Sequence, residues 1–407
     1  MKSVKLASIL FYLNSVFVVF CFVSCGSSPT EASSLLTADI RGGMDKPGLL
    51  GLGDEIKGVT FVPLEVTTDD ASLIDGVYDY AVTDRYIYVL PVKEPRIVLF
   101  DRQGRFIRTL VKEGQGPGEF RGILPCIQVD ERNDRLFLFS NNRVWEYTLE
   151  GEFIGQSTHE YSVIYMRHIG KDRFAAISFP FQPFNGGGFG LGLFSRKGDT
   201  IAIKNDFYSF LFPHEKSGFT TSIAPAYSDA QNSVLFKTGS NDTVFCISAD
   251  RISAACVLDL KNSDAEVIRS LDVTDMSNLR IEKKDPKDIF VQDMIEFPGH
   301  YYFRLLYNQG YYIASVDKKT GKTLVEKCVM PGSIYELADA NLQHGMQGTR
   351  SYRNFPVWGR VIKDELVQVV TPYELNLYKS LRSITIPQEL DLKGEEGNPV
   401  FVFYSLI

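Results

Sequence analysis

The chain repeats itself. "RIVLFDRQGRFIRTL" (96–110), "NRVWEYTLEGEFIGQ" (142–156) and "GLGLFSRKGDTIAI" (190–203) are versions of one unit: an apolar run, a short polar turn with a glycine, and a second run. The turn glycines Gly104, Gly151 and Gly198 are separated by 47 residues at each step. "DTVFCISADRISAACVLDL" (242–260) and "YYIASVDKKTGKTLVEKCV" (311–329) continue the pattern after longer insertions. Each unit reads as paired β-strands, and a period in the forties built from such pairs is the signature of four-stranded blades set round a ring. The runs are apolar almost throughout, as in "RLFLF" (135–139) and "VFVFY" (400–404). That suits a sheet covered on both faces by neighbouring blades, whereas a sandwich would alternate apolar and polar residues more cleanly.

Five copies can be counted, and a sixth is split. "PVWGRVI" (356–362), "ELVQVV" (365–370) and "PVFVFYSL" (399–406) offer three strands after the fifth copy, and "VTFVPLEV" (59–66) offers the fourth. The expected fold is all-β: a six-bladed β-propeller of four-stranded antiparallel blades, closed by pairing of N- and C-terminal strands. Closure removes the edges an open ring would expose, so the propeller is expected to be a monomer. Residues 371–391 read as a helix and loop inserted in the last blade, with Pro372 suited to the helix's first turn.

The ends set the address. Lys2 and Lys5 precede a mostly apolar stretch from Leu6 to Val23, broken by Asn14 and Ser15, and Ser24-Cys25-Gly26 closes it. No basic stop-transfer cluster follows, so residues 1–24 read as an export signal and not as a retained span. "FVSCGSS" (22–28) places Cys25 as the first residue of the mature chain and the site of lipidation. Residues 25–55 are expected to be a flexible tether and 56–407 the propeller. Two or more acyl chains make attachment stable, and the membrane is expected to be met through that anchor alone.

Charge and cysteine usage exclude other classes. The formal charge is −7, and loss of Lys2 and Lys5 with the signal leaves −9, unfavourable for nucleic acid or anionic lipid. After Cys21 and Cys25, the cysteines are Cys126, Cys246, Cys256 and Cys328, without a CxxC, and they read as apolar thiols. His159, His168, His214, His300 and His344 show no metal-ligand spacing, so neither a metal nor another cofactor is expected.

"KEGQGPGEF" (112–120) looks at first like a phosphate cradle. A nucleotide loop follows a strand and opens a helix within a βαβ unit. This loop is followed by "LPCIQVD" (124–130), a strand pattern, and reads as a connector between blades. "GQGPGEF", "NDTVF", the terminal "GNPVFVFYSL" and the lipobox together resemble the six-bladed β-propeller lipoproteins of Bacteroidetes, within the TolB-like and NHL-like group. The resemblance spans residues 25–407. It implies a six-bladed ring at the cell envelope. It carries no catalytic residues, since the family has no established activity.

In an antiparallel blade with strands A to D, the A–B and C–D turns share one face of the disc, and the B–C and D–A connections share the other. "GQGPGEF", "FQPFNGGGFG" (181–190) and the connectors at 204–222, 259–291 and 329–352 all fall on the second face. Long loops on a rigid scaffold tend to carry function. Glu119, Arg121, Asn185 and His214 are therefore the candidate ligand-binding residues. The expected function is a lipid-anchored, non-catalytic binding or scaffold module for a protein partner or glycan. The expected site is the outer membrane, on the periplasmic side, because no acidic run follows Cys25. The alternative is a metal-assisted hydrolase or lactonase at the channel mouth, for which Glu119, Asn185, Asp242 and Asn308 are suitably placed but share no motif. Ser195 and Ser209 lack the Gly-x-Ser-x-Gly setting of a hydrolase nucleophile.

Overall fold

In a computed structural model of the chain, each of the paired runs quoted above is a pair of strands. The structure describes residues 35–48, 55–68, 71–121, 126–140, 142–159, 163, 165–177, 190–204, 226–230, 232–237, 242–261, 288–308, 310–328, 359–380 and 397–407. Near the N-terminus lie β1 (Leu36–Ala38), a short helix (Ile40–Asp45) and β2 (Ile56–Pro63). Blade 1 is β3 (Val77–Val82), β4 (Tyr86–Pro91), β5 (Arg96–Asp101) and β6 (Phe106–Lys112). Blade 2 is β7 (Cys126–Asp130), β8 (Arg135–Ser140), β9 (Arg143–Tyr147) and β10 (Phe153–Thr158). Blade 3 is β11 (Tyr165–His168), β12 (Arg173–Ile177), β13 (Leu191–Ser195) and β14 (Thr200–Lys204). Blade 4 is β15 (Ala226–Ala230), β16 (Ser233–Lys237), β17 (Thr243–Ser248) and β18 (Ile252–Leu258). Blade 5 is β19 (Phe290–Glu296), β20 (His300–Tyr307), β21 (Gly310–Asp317) and β22 (Thr323–Cys328). The last blade takes β23 (Arg360–Ile362), β24 (Glu365–Val370) and β25 (Val400–Leu406) from one end of the chain and β2 from the other.

The six antiparallel sheets form a six-bladed propeller. β2 pairs with β25 from Ile56↔Leu406 to Pro63↔Val400, which closes the ring as the split sixth copy requires. The closing strand starts three residues earlier than its apolar pattern suggests, at Ile56 and not at Val59. The inserted helix is Pro372–Ser380, and it opens on a reciprocal cap: Glu374 Oε2 accepts the Thr371 N–H, and Thr371 Oγ1 accepts the Glu374 N–H.

Burial explains the strand patterns. The middle strands β4, β5 and β8 are buried almost end to end, whereas the outermost β10 and β14 alternate between half-buried and exposed. Tyr88, Phe100, Tyr147, Phe174, Phe194, Phe236, Phe303 and Phe401 are fully buried in the middle strands. Burying a phenylalanine side chain contributes on the order of 1.5–3 kcal/mol, so these aromatic layers between blades hold much of the ring together.

The repeated turn glycines have a shared reason. Gly104, Gly151, Gly198 and Gly321 all have φ between +72° and +95°, which L side chains resist. Each also lies against the strand before it on the rim. A Cβ on Gly104 would approach the Pro63 carbonyl oxygen to 2.2 Å, and one on Gly198 the Thr158 oxygen to 3.4 Å. The residue opening each turn anchors it with a short side chain. Asp101 accepts the N–H groups of Gln103 and Arg105, Thr148 that of Glu152, Ser195 those of Lys197 and Asp199, and Asp317 those of Lys319 and Thr320. Partial burial works against the Asp101 carboxylate, but the N–H donors and the Arg105 guanidinium outweigh it and hold its pKa below the usual carboxylate value.

Residues 36–48, expected within the tether, are a strap that is part of the fold, and the compact unit begins at Leu36 rather than at residue 56. β1 adds to the outer edge of blade 4 as a parallel fifth strand, with Leu36↔Cys256 and Ala38↔Leu258. Ala38 and Ile40 are fully buried in a cluster with Leu258, Phe303 and Val325 from blades 4 and 5. Asp39 caps the short helix through the Gly42 N–H, Arg41 Nε donates to the Leu260 carbonyl, and the Gly48 N–H donates to the Val325 carbonyl. The turn glycine of blade 5 therefore meets β1, at Thr37, where the other turns meet the outer strand of a blade.

Candidate functional site

The two faces of the disc differ in the length of their connections. Between described strands, no A–B or C–D turn exceeds five residues, while D–A connections run to 31 residues, between β18 and β19 and between β22 and β23. The loop Gly114–Phe120 lies on this long-connection face and is built to hold its own shape. The Gly114 N–H donates to the Phe120 carbonyl and the Glu119 N–H to the Gly116 carbonyl. Glu119 Oε2 accepts the Gly116 N–H at 2.7 Å. Arg121 donates to the carbonyls of Gly114 and Gln115 at 3.1 and 3.2 Å. Gly118 has φ +79° and leaves no room for a Cβ beside Phe153 of blade 2. Phe120 is fully buried, edge-on to Trp145, and pins the loop to the interface of blades 1 and 2. The loop's N–H groups thus serve the loop, which is the arrangement of a connector.

Glu119 and Arg121 are brought together at the base of this one loop. Glu119 Oε1 takes no hydrogen bond among the described residues. Asn185 and His214 lie outside the described residues, as does Cys25. Asp242, at the end of a B–C connection, has its carboxyl pKa pushed up by burial, with Lys237 opposing and Asp259 and Asp288 adding to the rise. Asn308 sits in a tight B–C turn with φ +44°. No group of three or more His, Cys, Asp or Glu side chains able to hold a metal ion occurs among the described residues. Cys256 is a buried free thiol whose pKa is raised by burial to about 12, while Cys126 and Cys246 are half-buried.

A set of polar residues that the sequence reading passed over lies on the inner strands. Asp79 is buried on β3. It accepts the Ile127 N–H of blade 2 at 2.7 Å and pairs with Arg360 of blade 6. Gln128 on β7 donates to the His168 carbonyl at 2.7 Å and accepts its N–H, joining blade 2 to blade 3. Tyr80 donates to the Val367 carbonyl at 2.9 Å. On the tight-turn face Lys363 binds both Asp84 and Glu131, drawing together the A–B turns of blades 6, 1 and 2. The inner strands of neighbouring blades belong to separate sheets, and these side chains supply the polar links between them. A charged residue inside an apolar run, as in "VYDYAV", is the signal that could have found them.

A groove of about 780 Å³ opens between blades 2 and 3, beside Val144, Ile154, Phe174 and Arg196. Glu146, which lines the groove, takes up two guanidinium groups, that of Arg196 through its Nε at 3.1 Å and that of Arg135 at 2.6 Å. Close by, His159 is 2% exposed, lies edge-on to Phe174 and Phe194, and neither ring nitrogen has a partner among the described residues. Burial pushes its pKa below 6.5, and also that of His168, where Asp130 opposes the fall. Above pH 6.5 the imidazoles are neutral in both folded and unfolded chains. Below it, the unfolded chain takes up protons that the folded chain refuses, so stability falls as pH drops toward the depressed folded values. Denaturant melts between pH 7 and pH 5 are expected to show this loss, and His159→Phe to flatten it. An unchanged slope in the variant would remove His159 from the account.

A family model described as a domain of unknown function, DUF4934, matches residues 35–405. No curated protein matches the chain. Among solved structures, a protein of Bacteroides fragilis described as exported aligns with TM-score 0.64 at 15% identity, covering 91% of this chain and 99% of that one. A nidogen/laminin complex aligns with TM-score 0.34 at 9% identity, over 66% of this chain and 92% of that one. AztD of Citrobacter koseri aligns with TM-score 0.31 at 12% identity, over 71% and 64%. The first likeness is one of fold. The other two are too distant to carry an argument.

Proposed function

The chain belongs to the DUF4934 family, and from its export signal and its fold we propose that it is a lipid-anchored binding scaffold of the cell envelope. Cys25 is the lipidated residue, the outer membrane is the site, and the periplasmic side is the orientation. The partner is a protein or a glycan met by the long-connection face. One observation carries this reading: connections of up to 31 residues gather on one face of a ring whose other face has turns of five residues or fewer. Polar links between inner strands add support, because a stiff disc presents its loops at fixed positions. In this reading Glu119, Arg121, Asn185 and His214 are the side chains that meet the partner. Glu119 Oε1 and the remaining guanidinium donors of Arg121 are held in position by the bonds their other atoms make to the loop.

Photo-crosslinkers at Val92 and Gln115, both exposed on the long-connection face, test the face. In envelopes containing the lipidated protein they are expected to capture a discrete partner that a crosslinker at Gln103, on the opposite face, does not. Equal capture from both faces would overturn the assignment. Independently, Cys25→Ala is expected to leave the protein unprocessed or release it from the membrane fraction. A mature chain with an unmodified N-terminus would show that the anchor is absent.

A further inference from the structure

The groove between blades 2 and 3 has two walls, each built on paired strands. Blade 2 supplies Val144 and Glu146 of β9 with their β10 partners, Ser157 and Gly155. Blade 3 supplies Arg173, which opens β12, its β13 partner Ser195, and the C–D turn as far as Asp199. Residues paired directly across an antiparallel ladder share one face of the sheet, so each pair presents its side chains to the groove together. An added Cβ at Gly155 would meet nothing within 4 Å, which leaves the blade 2 wall hollow there. The groove lies beside the tight turns of blade 3, away from the long connections.

Arg173 is the residue that calls for an occupant. It is half-buried, and its guanidinium meets no carboxylate, carbonyl or ring among the described residues. Arg96, Arg102, Arg135, Arg196, Arg304 and Arg360 are also half-buried or buried, and each is paired with an acid. The acids of the groove are committed to other groups. Glu146 is taken by Arg135 and Arg196, Asp172 Oδ1 lies 3.8 Å from Arg196, and Asp199 accepts the Ser195 hydroxyl at 2.9 Å. A guanidinium partly withdrawn from water is best satisfied by a planar two-oxygen anion, which it grips through two parallel N–H bonds.

The rest of the lining narrows the anion. Arg173, Arg196 and Lys197 are balanced by Glu146, Asp172 and Asp199, so a multiply charged anion such as phosphate meets as much repulsion as attraction. A single carboxylate on a hydroxyl-rich body is matched. Asp172 and Asp199 are exposed and keep lone pairs for hydroxyl donors. The Gln156 amide and the Ser157 hydroxyl have no partner among the described residues and supply both donors and acceptors. Val144, Ile154 and the hollow at Gly155 suit the C–H face of a sugar ring. We propose that this groove binds a uronic acid unit of a glycan, with its carboxylate on Arg173 and its hydroxyls on Gln156, Ser157, Asp172 and Asp199. The site is separate from the long-connection face and does not depend on the partner reading above.

The test titrates the chain from residue 25, with Cys25→Ser so that no lipid is attached, with trigalacturonate and with a hyaluronan tetrasaccharide by calorimetry. At least one is expected to bind, and its methyl ester to bind at least about tenfold more weakly. Arg173→Gln is expected to weaken binding at least about tenfold, and Gly155→Val, whose side chain enters the hollow, to abolish it, both with unchanged melting curves. Lys93→Glu, on the long-connection face, is expected to leave binding unchanged. Binding of neither oligosaccharide, equal binding of acid and ester, or indifference to both groove variants would each overturn the proposal. Displacement of the sugar by inorganic phosphate at equal concentration would also overturn it, by showing a site for simple anions. The crosslinkers at Val92 and Gln115 report on the other face, so the two readings fail independently.

Discussion

A chain from which residues 35–66 have been removed is expected not to reach a cooperatively folded monomer, whereas one lacking only residues 1–34 is expected to melt as the full chain does. The removed segment contains two separate parts of the ring. β2 supplies the outer strand of the last blade and buries Val62, while Leu64 packs just beyond it, in the cluster shared with Val89, Phe100, Phe401 and Phe403. Without it β25 becomes an open edge with an unpaired row of N–H and carbonyl groups, a template for association. The strap contributes Ala38, Ile40 and Met44 to the cluster of blades 4 and 5. Glu55 is lost as well, with its contacts to the Tyr302 hydroxyl and to His300 at 2.7 Å. Two or three fully buried aliphatic side chains at roughly 1.5–3 kcal/mol each already approach a total stability of about 5–15 kcal/mol. Denaturant melts and size-exclusion chromatography check the result. A truncated monomer that melts cooperatively at the full-length midpoint would show that β25 can stand as an edge.

The ring was legible because its information is local and repeated. Each strand pair and its turn lie within about fifteen residues, and three copies share one spacing, so pattern and turn chemistry agree at Gly104, Gly151 and Gly198. The split blade was legible for a related reason, since a closed ring needs a fourth strand and "VTFVPLEV" had the apolar pattern to supply it. The strap was not legible. Its strand has three residues and its helix six, both below the length at which periodicity speaks, and its partner Cys256 lies 220 residues along the chain from Leu36. The inner-strand links were missed for a different reason. Asp79 looks like a flaw in an apolar run until Ile127 and Arg360, from two other blades, are set beside it. The candidate face shows the same limit: Glu119 and Arg121 follow from the loop's place among the long connections, but the bonds that tie both side chains to that loop depend on how it folds back.

Gly104→Ala is expected to cost about 2–4 kcal/mol, more than the same change at any of the other three turns. Two costs combine. A left-handed backbone costs a non-glycine residue roughly 1–2 kcal/mol, and all four glycines share it, with φ of +81°, +86°, +95° and +72°. The space around the added methyl differs. At Gly104 the nearest atom is the Pro63 carbonyl oxygen at 2.2 Å, which belongs to backbone and cannot rotate away. Pro63 is itself held in register with Val400, and the Glu65 N–H donates to the Gly104 carbonyl at 2.8 Å, so relief would require the closing strand to shift. At Gly321 the nearest atom is the Thr37 oxygen at 2.9 Å, at Gly151 the flexible end of Leu110 at 3.1 Å, and at Gly198 the Thr158 oxygen at 3.4 Å. The expected order of loss is Gly104, Gly321, Gly151, Gly198, with the last near the backbone cost alone. Gly58, with nothing within 4 Å of an added Cβ, is the control, and its alanine variant is expected to stay within about 0.5 kcal/mol of the parent. Urea melts of the five variants read this order directly. Equal losses at all four turns would mean that φ alone selects these glycines, and that the close approach of each turn to the preceding outer strand adds nothing to the stability of the ring.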